Sequence, residues 1–116
     1  VRFSEWLITE QTISIPISRL FGWKPKVEEA INDLHNGLLS HSAGKPIIVS
    51  RLDNPRGAFF MMDGYHRVFE AMMAGQTAID GQIDIYTPRI ERSGGAHNEM
   101  VGDKVRLIDV LNRLPQ

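Results

Sequence analysis

Between residues 46 and 75 the hydrophobic period of the chain changes twice, and this stretch limits the possible folds more than any other. "PIIVSRL" (46–52) is β-branched, "AFFMM" (58–62) is apolar and aromatic, and "DNPRG" (53–57) between them carries the Pro and Gly of a turn. That pattern is a hairpin. Asp63 and Gly64 then stop the apolar run. "YHRVFEAMMAG" (65–75) follows with apolar residues at helical spacing and Gly75 where a C-terminal cap belongs. A hairpin that runs through one glycine into an amphipathic helix needs a sheet with that helix laid on it.

The flanks extend the same plan. "FSEWLITE" (3–10) reads as a short helix or an irregular lead-in. In "TISIPISRL" (12–20), Ile13, Ile15 and Ile17 alternate with polar residues as in a half-buried strand, and Pro16 suggests a sheet edge. "FGWKP" (21–25) reads as a loop. "KPKVEEAINDLHNGLLS" (24–40) reads as a helix with Pro25 in its first turn, Glu28 and Glu29 where the dipole favours acids, and Val27, Ala30, Ile31, Leu34 and Leu38 as its buried stripe. "HSAGK" (41–45) is expected to be a loop. "GQIDIYTP" (81–88) reads as a further strand, and "RIERSGGAHNEMVG" (89–102) as a polar, Gly-bearing loop. "DKVRLIDVLNRL" (103–114) reads as a final amphipathic helix, with Asp103 as its cap and Val105, Leu107, Ile108, Leu111 and Leu114 as its apolar positions. The order strand, helix, hairpin, helix, strand, helix gives a mixed α/β (α+β) domain with a small mixed sheet and packed helices.

Length and composition fit one domain spanning residues 1–116. An apolar fraction of 42% and a charged fraction of 23% are ordinary for a globular protein, and a net charge of −1 argues against coating nucleic acid through bulk charge. The absence of cysteine excludes disulfides, thiolate metal sites and cysteine nucleophiles. No apolar run approaches a membrane span and the N-terminus has no signal-peptide pattern, so no membrane partner is expected and cytoplasmic is the default location. The chain begins with Val, which suits a domain cut from a larger parent.

The helix at residue 65 opens with His66 and Arg67, where the dipole disfavours cations. An anion bound at the same place resolves the conflict: Gly64 permits close backbone approach, free N–H groups face outward, and Arg67 and His66 add donors suited to phosphate. The competing reading makes Asp63 an N-cap and leaves His66 and Arg67 on an exposed face. Lys24 and Lys26 repeat the theme at the start of the first helix. If both starts face one cleft, they could hold successive phosphates. Trp23 beside them could stack on a base, although packing is its more common role. There is no Walker pattern, and His35, His41 and His97 show no ligand spacing, so no transition-metal site is expected.

"AFFMMDGYHRVFEAMMAG", with "ISIPISRLFGWKPKVEEAINDL" and "KPIIVSRLDNPRGAFFMMDG" upstream, resembles the ParB/sulfiredoxin-like superfamily. The resemblance covers about residues 12–87, leaving 88–116 as a C-terminal loop and helix. In sulfiredoxins a Gly-Cys-His-Arg turn binds ATP phosphates. The resemblance therefore implies phosphate contacts at Gly64, Tyr65, His66 and Arg67, with Lys26 matching a phosphate-contacting Lys. Tyr65 stands at the cysteine position, so sulfinic-acid reduction is excluded. Glu29 and Asp33 fall where sulfiredoxins carry hydroxyl residues, which could place carboxylates near a Mg²⁺ ion. ParB proteins bind CTP through a related turn and add a helix-turn-helix, whereas a single helix is expected in residues 88–116.

Three function classes follow. The first is a nucleotide-binding domain for ATP or CTP with Mg²⁺, extending to an NTPase or phosphotransferase, with Lys26, Gly64, Tyr65, His66 and Arg67 on the phosphates and Glu29 and Asp63 as catalytic candidates. The second is DNA binding or a ParB-like nuclease, in which Arg51, Arg56, Arg89 and Arg92 would extend a phosphate track; scattered arginines are more often plain surface. The third is a non-catalytic interaction module or homo-oligomer, with the paired methionines at 61–62 and 72–73 as an adaptable surface or, more simply, as core filler.

Overall fold

The computed structural model describes residues 11–38 and 44–115. Its strands are β1 (Ile13–Pro16), β2 (Leu20–Trp23), β3 (Ile47–Arg51), β4 (Phe59–Asp63), β5 (Ala78–Ile83) and β6 (Lys104–Arg106). Its helices are α1 (Lys24–His35), α2 (Tyr65–Met73) and α3 (Ala96–Gly102), with short 3₁₀ turns at Ile17–Arg19 and Ile90–Arg92 and a longer one at Leu107–Arg113. The expectations for residues 3–10, for the helix end at 39–40 and for His41 lie outside the described residues.

All six strands form one mixed sheet in the order β1-β5-β3-β4-β2-β6. β3 and β4 pair antiparallel, as the turn chemistry of 53–57 requires, while β2–β4 and β3–β5 are parallel. β1, with Pro16, sits at the sheet margin on β5. The alternation of β4 divides the interior. Phe59 and Met61 point into the main core beneath α1 and α2, whereas Phe60 and Met62 join a second cluster on the opposite face with Leu52, Ile90, Trp23 and Met100. α1 buries Val27, Ala30, Ile31 and Leu34, and α2 buries Val68, Phe69, Ala71 and Met72, at the spacing read from the sequence. Leu38 does not continue the stripe: α1 ends at His35, and Leu38 is largely exposed.

Four expectations change. The strand foreseen over 12–20 breaks at the turn Ile17–Arg19, and residues 21–23, read as the start of a loop, join Leu20 in β2. Gly22 is the reason the sequence misleads there. A Cβ on it would lie 2.7 Å from the Tyr65 ring and 3.0 Å from Leu107 and Val27, so this glycine serves close packing inside a strand and not a turn. β5 begins at Ala78, earlier than expected, and ends at Ile83, leaving Ile85 and Tyr86 exposed. The expected loop over 89–102 contains a 3₁₀ turn, with Ile90 fully buried, and α3.

The fourth change is at the C-terminus. Residues 103–114 are not an α-helix. Lys104–Arg106 add to the open edge of β2, and Leu107–Arg113 coil as a 3₁₀ helix. A period of three places Leu107 and Val110 on one buried face and leaves Leu111 45% exposed. Asp103 caps no helix start; it follows α3, and its carbonyl accepts the Lys24 N–H at 3.1 Å.

Candidate functional site

Local chemistry builds the turn that starts α2. Gly64 is its N-cap, at φ +105° and ψ 25°, in the left-handed region that glycine adopts without penalty. A Cβ there would lie 2.8 Å from Ile47 and 3.0 Å from the Arg67 guanidinium, so the position is closed to larger residues twice over. Among the described residues no side chain caps α2, which leaves its first N–H groups available to a ligand. Asp63 is therefore not the N-cap. Its carboxylate pairs with Arg67 Nη2 at 3.3 Å and is mostly exposed.

Arg67 is a brace. Its Nη1 donates to the carbonyls of Pro46 at 2.6 Å and Lys45 at 3.1 Å, and its side chain is only 11% exposed. The guanidinium thus ties the start of α2 to the entry of β3, and most of its fork is already committed. His66 is held from α1: its Nε2–H donates to Asp33 Oδ2 at 3.0 Å, and its Nδ1 has no hydrogen-bond partner among the described residues. Tyr65 points inward. Its hydroxyl accepts the Trp23 N–H at 2.9 Å and donates to the Met61 carbonyl at 3.3 Å, and burial pushes its pKa up to about 12. Only the main chain of Tyr65 can serve a ligand in the manner the sequence implies.

α1 supplies the facing wall. Lys26, Glu29, Ala30 and Asp33 line a cleft of about 840 Å³ together with Asp63, Gly64, Tyr65, His66 and Arg67. All seven residues nominated from the sequence therefore meet in one place, brought there from β4, α1 and α2. Lys24 does not reach this lining. Glu28 and Glu29 lie beyond the first turn of α1, so the dipole argument made for them does not hold. Glu28 faces away and forms a two-pronged pair with Arg113 at 2.8 and 2.5 Å, which lowers its pKa chiefly through that hydrogen bond. Glu29 is linked to Lys26 at 3.6 Å through a pair more than half exposed, an arrangement that contributes little and exchanges readily.

Sequence reasoning gave too little weight to Asp33, Trp23 and Met62 and passed over Met100, all of which line the cleft. Asp33 was within reach, since 26, 29, 30 and 33 share one helical face. Met100 was not, because α3 was read as loop. Trp23, Met62 and Met100 form an apolar wall beside the polar one. The size and mixed lining suit a small organic ligand with a charged end.

No protein-family model matches the chain, and no curated protein matches it. Among solved structures it is similar to sulfiredoxin from Arabidopsis thaliana, with a TM-score of 0.43 and 19% identity, over 71% of this chain and 91% of that one. That likeness concerns the fold alone. Among the described residues no helix is long and apolar enough to cross a membrane.

Proposed function

We propose that the cleft at the Gly64 turn binds the phosphates of a nucleoside di- or triphosphate such as ATP or CTP. The observation that supports this reading is convergence: Lys26 from the start of α1 and the uncapped start of α2, behind a left-handed glycine, line the same cleft. The free N–H groups of α2 and its dipole would receive one phosphate. Lys26, released from its exposed pair with Glu29, would clamp the next. Trp23, Met62 and Met100 would form the wall for the base.

Each basic side chain of the cleft, Lys26, His66 and Arg67, already faces a carboxylate. A polyphosphate entering it therefore calls for added positive charge. Among the described residues no three acidic or histidine side chains form a ready metal site. Mg²⁺ would then arrive on the nucleotide, with Glu29, Asp33 and Asp63 as the nearby carboxylates, since this ion commonly takes one or two of them besides phosphate oxygens. Bound there, it would neutralise phosphate charge. Phosphoryl hydrolysis or transfer is the chemistry this arrangement favours. His66, oriented by Asp33, is the better proton acceptor, ahead of the exposed Glu29 and Asp63.

The test uses Lys26→Ala and His66→Gln, because Arg67→Ala would remove a brace of the fold along with any ligand contact. Calorimetric titration with ATP, ADP, CTP and GTP, each with and without Mg²⁺, should give Mg²⁺-assisted binding of one nucleotide by the wild type. Lys26→Ala should weaken it by roughly tenfold, the scale of one charge-assisted contact. No heat with any nucleotide, or binding untouched by both substitutions, would refute the reading.

A further inference from the structure

Arg51, Arg56, Arg89 and Arg92 do not extend the Gly64 cleft. They line a separate cavity of about 600 Å³ at the other end of β4. Phe59, the first residue of β4, lines this cavity and Asp63, the last, lines the cleft, which puts the two about 13 Å apart along the strand. Among the described residues, four arginines and one carboxylate, Asp53, line it, in a chain whose net charge is −1.

The one carboxylate does not satisfy them. Asp53 takes Arg89 on one oxygen at 2.9 Å and Arg92 on the other at 3.2 Å. Glu91 is occupied differently: its carboxylate accepts the backbone N–H groups of Asp53 and Asn54 and so clamps the hairpin turn. Arg51 lies over the Phe59 ring, 5.8 Å from its centroid, and Arg56 has no ion pair among the described residues. The frame is firm. Arg51 N–H donates to the Pro88 carbonyl at 2.8 Å, and Leu52 and Ala58 close the turn at 3.0 Å, so the backbone fixes where the four arginines start. Holding like charges together costs free energy that a bound anion would recover.

We infer that this cavity is a second anion site, for a compact, multiply charged phosphate group. Guanidinium forks match phosphate oxygens in pairs, and four of them around one hollow suit a terminal phosphate or pyrophosphate better than a single charge. A nucleic-acid strand is disfavoured by the shape and by the lining. The arginines form a cluster and not a stripe, and Phe59, the one aromatic ring there among the described residues, is 8% exposed and offers no face for stacking a base.

The experiment titrates Lys26→Gln protein, in which the Gly64 cleft is weakened, with inorganic pyrophosphate, phenyl phosphate and a single-stranded oligonucleotide. The readout is the NMR signals of the arginine Nε–Hε groups. Saturable movement of Arg56, Arg89 and Arg92 with pyrophosphate supports the site, and equal movement with phenyl phosphate assigns it to terminal phosphates on larger molecules. Arg56→Gln with Arg92→Gln, both on exposed side chains, should weaken the response at least about tenfold while the amide spectrum shows the fold intact. No saturable movement would overturn the inference. So would oligonucleotide binding tighter than pyrophosphate and lost in the same variant, which would make the patch a nucleic-acid contact. Neither result bears on the nucleotide cleft, which is tested separately.

Discussion

Ser50 lies within β3 with no solvent exposure, and its hydroxyl has no hydrogen-bond partner among the described residues. A buried unsatisfied hydroxyl costs about 1–3 kcal/mol, while a methyl of similar size costs nothing of the kind. Ser50→Ala should therefore raise unfolding free energy by about 1 kcal/mol and the melting temperature by a few degrees, read by calorimetry. A loss of stability would mean that the hydroxyl is satisfied. Single residues also mark the limit of reading the site from sequence. Gly64 was legible because its role is local, at the junction between a strand and a helix. The commitment of Arg67 was not, because the carbonyls it binds belong to Lys45 and Pro46, more than twenty positions away. A charged residue in a motif announces a donor; only the fold says which acceptors have already taken it.

Among the elements, the hairpin and the two long helices followed from periodicity, since each has a single clear period. The segment 104–113 carries two compatible ones. Val105, Leu107, Ile108, Leu111 and Leu114 fit an α-helix, yet a three-residue repeat accounts for Leu107 and Val110 equally well. The unpaired edge of β2 decides the matter by drawing in residues 104–106, and the shortened remainder winds more tightly. A pair of substitutions separates the two geometries. Leu107→Ala, at a fully buried position, should destabilise the protein by about 2–5 kcal/mol. Leu111→Ala should cost less than about 1 kcal/mol, because nearly half of that side chain is in water. Chemical denaturation measures both, and equal losses would favour the amphipathic α-helix read from the sequence.

For the whole molecule, the sheet is the part that sets distances. β4 carries the Gly64 turn at one end and the arginine cavity at the other, and the second hydrophobic cluster fills the sheet face between Leu52 and Met62. Net charge hid this arrangement, since a total of −1 says nothing about four arginines converging from two distant segments. Tyr65 ties the site to the core: its ring fills the space opened by Gly22, and its hydroxyl joins α2 to the backbones of β2 and β4. The same burial that locks it makes stability depend on alkaline pH. Its folded pKa is raised from 10.0 to about 12, by desolvation first and against the opposing pull of the Trp23 N–H. Below the unfolded value both states hold the proton and the full stability is present. Between pH 10 and 12 the unfolded chain releases its proton while the folded protein retains it, so unfolding free energy falls as pH rises. Two pKa units correspond to about 2–3 kcal/mol lost across that window. Urea titrations at stepped pH should show this decline in the wild type. Tyr65→Phe should begin about 1 kcal/mol less stable at neutral pH, because the Trp23 N–H loses its acceptor, and should then show a shallower alkaline limb. Equal alkaline slopes in the two proteins would show that Tyr65 ionises as freely in the folded state as in the unfolded chain, and the buried bridge between α2 and the sheet would have to be abandoned.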